Sequence, residues 1–151
     1  MKKSLWGPAI WKTLHVLTIK LKDEYFESQK KIIIDFILGV CQNLPCPYCS
    51  QHACDFLKRH KINYIKSKEQ LIKLIFMLHN DANKRLKKPL FDEEQLYQTY
   101  EKFNYEYTMK MYFKVVQQAN YNEKMMLYSI GRKQFIKKYI HYIKNNLDKF
   151  D

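Results

Sequence analysis

Residues that break a backbone are scarce in this chain. It has 3 glycines and 4 prolines in 151 residues, too few for the many tight turns of an all-β fold. No stretch approaches the ~18 uninterrupted apolar residues that a membrane-spanning helix needs. The opening Met1-Lys2-Lys3-Ser4-Leu5-Trp6-Gly7-Pro8 carries charge but no apolar segment of the kind a secretory leader uses, so the expected compartment is the cytoplasm. Acid is scarce as well: 15 Asp and Glu stand against 27 Lys and Arg, a formal charge of +12. Such a surface attracts anions of any kind, but no nucleic-acid motif accompanies the charge, and no specific nucleic acid is expected as partner. The abundance of Lys, Asn, Ile and Tyr is equally what an AT-rich genome would encode. What is present in quantity is apolar side chain, 46% of the residues, enough for a folded core in a chain of this length.

Among the 4 cysteines, two share the stretch Leu44-Pro45-Cys46-Pro47-Tyr48-Cys49, followed by Ser50, Gln51 and His52. Proline suits the first position of a helix, where its missing N–H has no partner to lose. Pro47 therefore predicts a helix running to about Arg59, with Cys46 at the cap and Cys49 in the first turn. The free N–H groups and partial positive charge there stabilise a thiolate, which thiol–disulfide exchange requires. In the cytosol such a pair is catalytic or transient and not a structural staple. Half of a zinc site and two unrelated buried thiols are the other readings. A zinc site would have to draw in Cys41 and Cys54. Cys54 lies about 500° around the helix from Cys49 at roughly 100° per residue, a poor geometry, so no metal is expected.

Helical periodicity runs through most of the remainder. A first helix is expected from Gly7-Pro8, with proline again at the first position, to about Leu21. Ile10, Trp11, Leu14, Leu17, Thr18 and Leu21 form its apolar face. Trp11 and His15, four apart, share that face; they are either core residues or the lining of a pocket for a flat aromatic cofactor. A second helix spans about Ser28 to Gln42, with Cys41 on its buried side. A fourth opens on Ser67-Lys68-Glu69-Gln70, which fits a capping box, and buries Leu71, Leu74, Ile75, Leu78 and Ala82. His79, Asn80 and Asn83 form a polar edge on it, able to present imidazole and amide groups to a ligand. Lys84, Arg85, Lys87 and Lys88 follow; they either reach a pyrophosphate or simply suit the helix C-terminus. Pro89 ends this helix, and Asp92-Glu93-Glu94-Gln95 opens a short fifth running to about Phe103.

Three of these pieces taken together resemble the Erv/ALR family of flavin-linked sulfhydryl oxidases. They are Trp11-Lys12-Thr13-Leu14-His15, then Cys46-Pro47-Tyr48-Cys49, then His79-Asn80-x-x-Asn83-x-x-Leu86-x-Lys88-Pro89. The order and spacing match over residues 5–103. The Trp-Gly-Pro opening and Leu-Pro-Cys-x-x-Cys-x-x-His look most like the short members of large cytoplasmic DNA viruses. The resemblance implies an all-α fold: a four-helix bundle with a short fifth helix and FAD held between the helices. It implies Trp11 and His15 against the flavin or adenine. His79, Asn80 and Asn83 would hold the adenine and ribose, with Leu86 in the same motif, and Lys84 and Lys88 the phosphates. Cys49 would lie against the isoalloxazine and Cys46 would face the substrate. It further implies a thiol oxidase forming disulfides in a protein dithiol, such as a viral thioredoxin-like or structural protein, with oxygen as acceptor and hydrogen peroxide as product, in host cytoplasm or virion. A non-catalytic FAD- or partner-binding homologue and a zinc-stabilised nucleic-acid module are its rivals.

This sequence departs from the family in four places. A second disulfide found in many cellular members would fall at Phe76 and Glu93. Ala82 stands where valine is usual, and Lys87 where glycine precedes the family lysine. There is no separate shuttle CxxC.

Residues 104–151 lie outside the resemblance and carry 9 basic and 4 acidic residues. Ile136, Tyr139, Ile140, Ile143 and Leu147 repeat at helical spacing opposite Lys137, Lys138, Lys144 and Asn145, an amphipathic basic helix. The division expected is an oxidase bundle over 1–103 and a helical extension over 104–151. The extension packs on the bundle, forms a homodimer or partner surface, or meets an anionic membrane. A chain ending at Asn104 is then expected to fold by itself.

Overall fold

A computed structural model describes residues 2–118 and 129–151, and is all-helical. The part of the expected extension over 119–128 lies outside the described residues. Among the described residues seven α-helices follow one another: α1 Lys3–Lys20, α2 Phe26–Gln42, α3 Pro47–Arg59, α4 Lys68–Arg85, α5 Leu96–Tyr100, α6 Tyr105–Gln118 and α7 Ser129–Asn145. Among the described residues the only β pairing is an isolated bridge between Leu21 and Phe150.

Helix α1 is the axis of the bundle. From Thr13 to Ile19 every residue is buried, because α2, α4, α5 and α6 all pack around it. A helix buried all round must also satisfy its polar side chains internally. Thr13 gives its hydroxyl to the Ala9 carbonyl (2.7 Å), and Thr18 to those of Leu14 and His15 (3.2 and 3.1 Å). The helix starts at Lys3, four residues ahead of the expected Gly7-Pro8 start, so Pro8 sits inside it. Burial of Trp6 accounts for the extra turn. The cost is the lost bond from position 8 to the Ser4 carbonyl, and Ser4 and Pro8 are both exposed to water.

The other starts follow local chemistry. Cys46 caps α3 with Pro47 at its first position. Ser67 caps α4 by accepting the Gln70 N–H (3.1 Å), while Gln70 reaches back to the Lys66 N–H (2.9 Å), one residue further than a strict capping box. The expected fifth helix is shorter than its pattern suggested: a 3-10 turn over Glu93–Gln95 leads into α5, which ends at Tyr100.

At the end of α4, Lys87 has φ 56°, the left-handed region that favours glycine. Its N–H bonds the Lys84 carbonyl (3.2 Å) and the Lys88 N–H bonds that of Asn83 (2.8 Å). These are the two bonds of a Schellman cap. The position where the family motif has glycine is thus one where the backbone asks for it. A non-glycine residue there costs about 1 kcal/mol. Lys87→Gly should therefore raise the melting temperature by about 2–4 °C, read by circular dichroism; an unchanged or lower value would mean the lysine side chain compensates.

Family-like and extra residues share one core. Tyr105, Met109, Tyr112, Phe113 and Val116 of α6 bury against α1 and its neighbours, and Phe135, Ile136, Tyr139, Tyr142 and Ile143 of α7 join the same cluster. Phe36 of α2 packs on Tyr139 at 4.3 Å. Helices α2 and α7 meet so closely at Gly39 that a Cβ there would overlap the Phe135 ring. The C-terminus is strapped to the end of α1. Asp151 N–H bonds the Lys20 carbonyl (2.8 Å), Lys22 N–H that of Lys149 (3.0 Å), and Phe150 stacks on Tyr105 at 3.9 Å. The α6 stripe, at steps of three and four from Tyr105 to Val116, is a helical signature that begins just beyond the reach of the family resemblance.

Candidate active site

The start of α3 carries a disulfide. Cys46 is its N-cap in extended conformation (φ −141°, ψ 107°), and its Sγ accepts the N–H of Cys49 (3.2 Å). The two cysteines are bonded to each other, with Cα atoms 5.2 Å apart. Both are half-buried, while Pro47 and Tyr48 between them are exposed. The Tyr48 ring meets His52 edge-on at 4.3 Å. The remaining thiols are poor nucleophiles. Burial pushes the Cys41 thiol far up, with Cys54 adding to it, and burial likewise raises Cys54, with Asp55 adding. Neither supplies a thiolate near neutral pH. Among the described residues no three His, Cys, Asp or Glu side chains gather as a metal site.

Cys49 lies on the wall of a cavity of about 460 Å³ enclosed by α1, α3, α4 and the stretch around α5. Its apolar walls include Trp6, Ile10, Trp11 and Leu14 of α1, Leu78 and Ala82 of α4, and Tyr100 and Phe103. Cys41 and Leu44 from the end of α2 close another side. Polar groups are few: among the described residues His79, Asn83 and Thr99, with the cations Lys3, Lys12, Arg85 and Lys88. Lys12 also sits over the Phe103 ring at 4.3 Å, and Arg85 pairs with Asp81 at 3.4 Å.

Trp11 and His15 share a face of α1 but part company at the cavity. Trp11 and His15 are 6.5 Å apart and tilted. Trp11 instead stacks on His79 of α4, at 4.2 Å and 11°. His15 stands outside the cavity lining and fully buried. It faces Tyr100 at 4.3 Å and shares a 2.9 Å hydrogen bond between its Nε2 and Nδ1 of His79. Among the described residues its own Nδ1 is buried with no hydrogen-bond partner. Burial, with His79 adding to it, pulls the His15 pKa down to about 3; burial, with Lys88 adding to it, pulls His79 down to about 4. Both rings are therefore neutral near pH 7, so one donates to the other without charge repulsion.

Of the ten expected site residues, the structure brings Trp11, Cys49, His79, Asn83, Leu86 and Lys88 to this one cavity. Cys46 is one disulfide bond away. Asn80 is turned to the loop after α4: it accepts the Phe91 N–H (2.7 Å) and donates to the Phe91 carbonyl (2.9 Å), and also accepts from Asn83 (3.2 Å). Lys84 is exposed and does not line the cavity; Arg85 takes the place on the wall that the expectation gave it. Lys3, Lys12, Cys41 and Tyr100 were missed. Only the basic run around Lys84 offered a signal for such cations; the rest depend on how α1, α2 and α5 pack.

An all-helical bundle with a CxxC disulfide on the wall of an aromatic, cation-rimmed cavity defines a class: dithiol chemistry beside a pocket for a flat, anionic cofactor. Comparison with known proteins gives the family. A model of the Erv1 / Alr family matches residues 8–104, and the chain belongs to that family. It is 33% identical over 97 residues to protein 096R of Invertebrate iridescent virus 3, covering 64% of this chain and 66% of that protein. It is 32% identical over 96 residues to the FAD-linked sulfhydryl oxidase of African swine fever virus (isolate Tick/Malawi/Lil 20-1/1983), covering 64% and 80%. With the mitochondrial FAD-linked sulfhydryl oxidase ERV1 of Saccharomyces cerevisiae it shares 30% over 88 residues, 57% of this chain and 45% of that protein. No solved structure gives a match.

Proposed function

We propose that this chain is an FAD-linked thiol oxidase, which forms disulfides in a protein dithiol and reduces oxygen to hydrogen peroxide. The observation that carries this reading is the placement of Cys49, one half of the disulfide, on the wall of the cavity that Trp11 and His79 line together. The residues present suit the cofactor. The cavity's volume lies in the usual range for ligand sites, its walls are flat and apolar, and its rim supplies cations for a pyrophosphate. Trp11, His79, Asn83, Leu86 and Lys88 would hold FAD, with Lys12 and Arg85 adding charge. His15 and Asn80 act behind them, His15 fixing the His79 ring and Asn80 the Phe91 loop. When bound, the flavin supplies a two-electron acceptor that oxygen can reoxidise.

The chain's own part is sulfur chemistry. A substrate thiolate attacks Sγ of Cys46, the S–S bond breaks, and Cys49 leaves as a thiolate. The first turn of α3 stabilises that leaving group. The second substrate thiolate then attacks the substrate sulfur of the mixed disulfide and releases Cys46. The substrate leaves as a disulfide and the pair is left as a dithiol, with two electrons to pass on. Overall, two thiols and one oxygen molecule give one disulfide and one hydrogen peroxide. Neutral His15 and His79 keep cationic charge out of the stacked wall. No helix among the described residues is long and apolar enough to cross a membrane; a cytoplasmic site of action, in a host cell or virion if the source is viral, completes the reading.

The test is cofactor retention. The wild-type protein should purify yellow. Added FAD should raise its melting temperature, because a hundredfold excess over Kd adds about 2.7 kcal/mol to the stability of the folded state. His79→Ala with Asn83→Ala should purify colourless and gain no stability from FAD. A double variant that keeps stoichiometric flavin would place the cofactor elsewhere.

A further inference from the structure

A basic surface outside the site lies between α6 and α7, beyond the stretch that matches the family. Two hollows, of about 950 and 220 Å³, run together there, with Gln117, Ile140 and Lys144 lining both. Their floor is apolar: Ile136 and Ile143 from α7, Met109 and Phe113 from α6, all buried, with half-buried Ile140 between them. Their rim is cationic, with exposed Lys114, Lys133, Lys137 and Lys144. Among the described residues the one acid on the lining, Glu106, is already paired with Lys110 at 3.0 Å. We propose that this groove docks an acidic, amphipathic helix of a partner protein.

The shape and charge select this occupant. A helix with one apolar stripe fits an apolar trough, and carboxylates beside the stripe meet the lysine rim. A second copy of the same groove would set lysines against lysines on a chain of charge +12, which disfavours a two-fold contact here. A membrane needs apolar side chains that protrude, whereas Ile136 and Ile143 lie 8% and 6% exposed at the bottom. Duplex DNA would meet the rim but has no use for an aliphatic floor. Among the described residues the groove shares no lining residue with the CxxC cavity, so this inference stands apart from the oxidase reading.

A fluorescein-labelled helical peptide of Glu, Ala and Leu, with Leu at steps of three and four, is the probe for anisotropy titration on the full chain. It should bind, bind less as salt is raised, and bind at least about tenfold better than a shuffled peptide of the same composition. Lys137→Glu with Lys144→Glu should weaken it at least about tenfold. Lys58→Glu with Lys66→Glu, the same charge change elsewhere, should have a far smaller effect. Oxidation of dithiothreitol should be unchanged in both variants. No binding, equal binding of the shuffled peptide, or indifference to Lys137 and Lys144 would overturn the proposal. So would tighter, Lys137- and Lys144-dependent binding of phosphatidylserine vesicles or duplex DNA.

Discussion

A chain ended at Asn104 should fail to fold, although it keeps the whole stretch that matches the family. The cut removes Tyr105, Met109, Tyr112, Phe113 and Val116, each 5% exposed or less, from a helix that packs along α1. It also removes the Phe150 strap and the α7 side chains around Phe36. Burying one such side chain is worth about 1.5–3 kcal/mol. Losing even five exceeds much of the 5–15 kcal/mol that typically holds a domain together. The expected result is an insoluble or molten product without a cooperative thermal transition. A soluble truncation that melts cooperatively and binds FAD would show that residues 1–103 form an autonomous unit and that α6 and α7 merely decorate it.

Replacing either cysteine of the pair should have the largest effect on turnover. With Cys46→Ser or Cys49→Ser, oxygen uptake with dithiothreitol should fall to the level of free flavin. Cys54→Ser should stay near wild type, because burial keeps that thiol protonated and it forms no part of the disulfide. The two serine variants should also differ from each other. Cys46 lies off the cavity and Cys49 on its wall. The thiol left in Cys49→Ser should therefore react faster with a bulky disulfide reagent than the one left in Cys46→Ser. Full oxidase activity in Cys49→Ser would defeat the mechanism, and a reversed order of reactivity would exchange the roles of the two sulfurs.

Local signals in the sequence located much of this. Pro47 beside Cys46 and Ser67 ahead of Gln70 fix helix starts through backbone chemistry that needs no tertiary context, and both starts are found where those residues stand. Pro8 misled, because proline's preference for a first turn is worth less than burying Trp6. Lys87 was visible as a departure from the family glycine, but only its positive φ explains the glycine. The cavity was legible in part. Its α4 wall follows from spacing along one helix, whereas the Trp11–His79 stack joins residues from two helices and could not be read from α1 alone. Cys41 read as an ordinary buried thiol, and its position at the cavity depends on how α2 ends. Helix α6 had a clear stripe and went unread because the resemblance stopped just before it.

The most direct test of the central claim is anaerobic. Dithiothreitol is added to FAD-loaded protein without oxygen, and the yellow visible band is followed. The account predicts that wild type bleaches promptly and regains its colour when air is admitted, and that Cys49→Ser, loaded with the same amount of FAD, stays yellow. Bleaching of Cys49→Ser at the wild-type rate would contradict it, since electrons would then reach the cofactor without passing through the sulfur on the cavity wall.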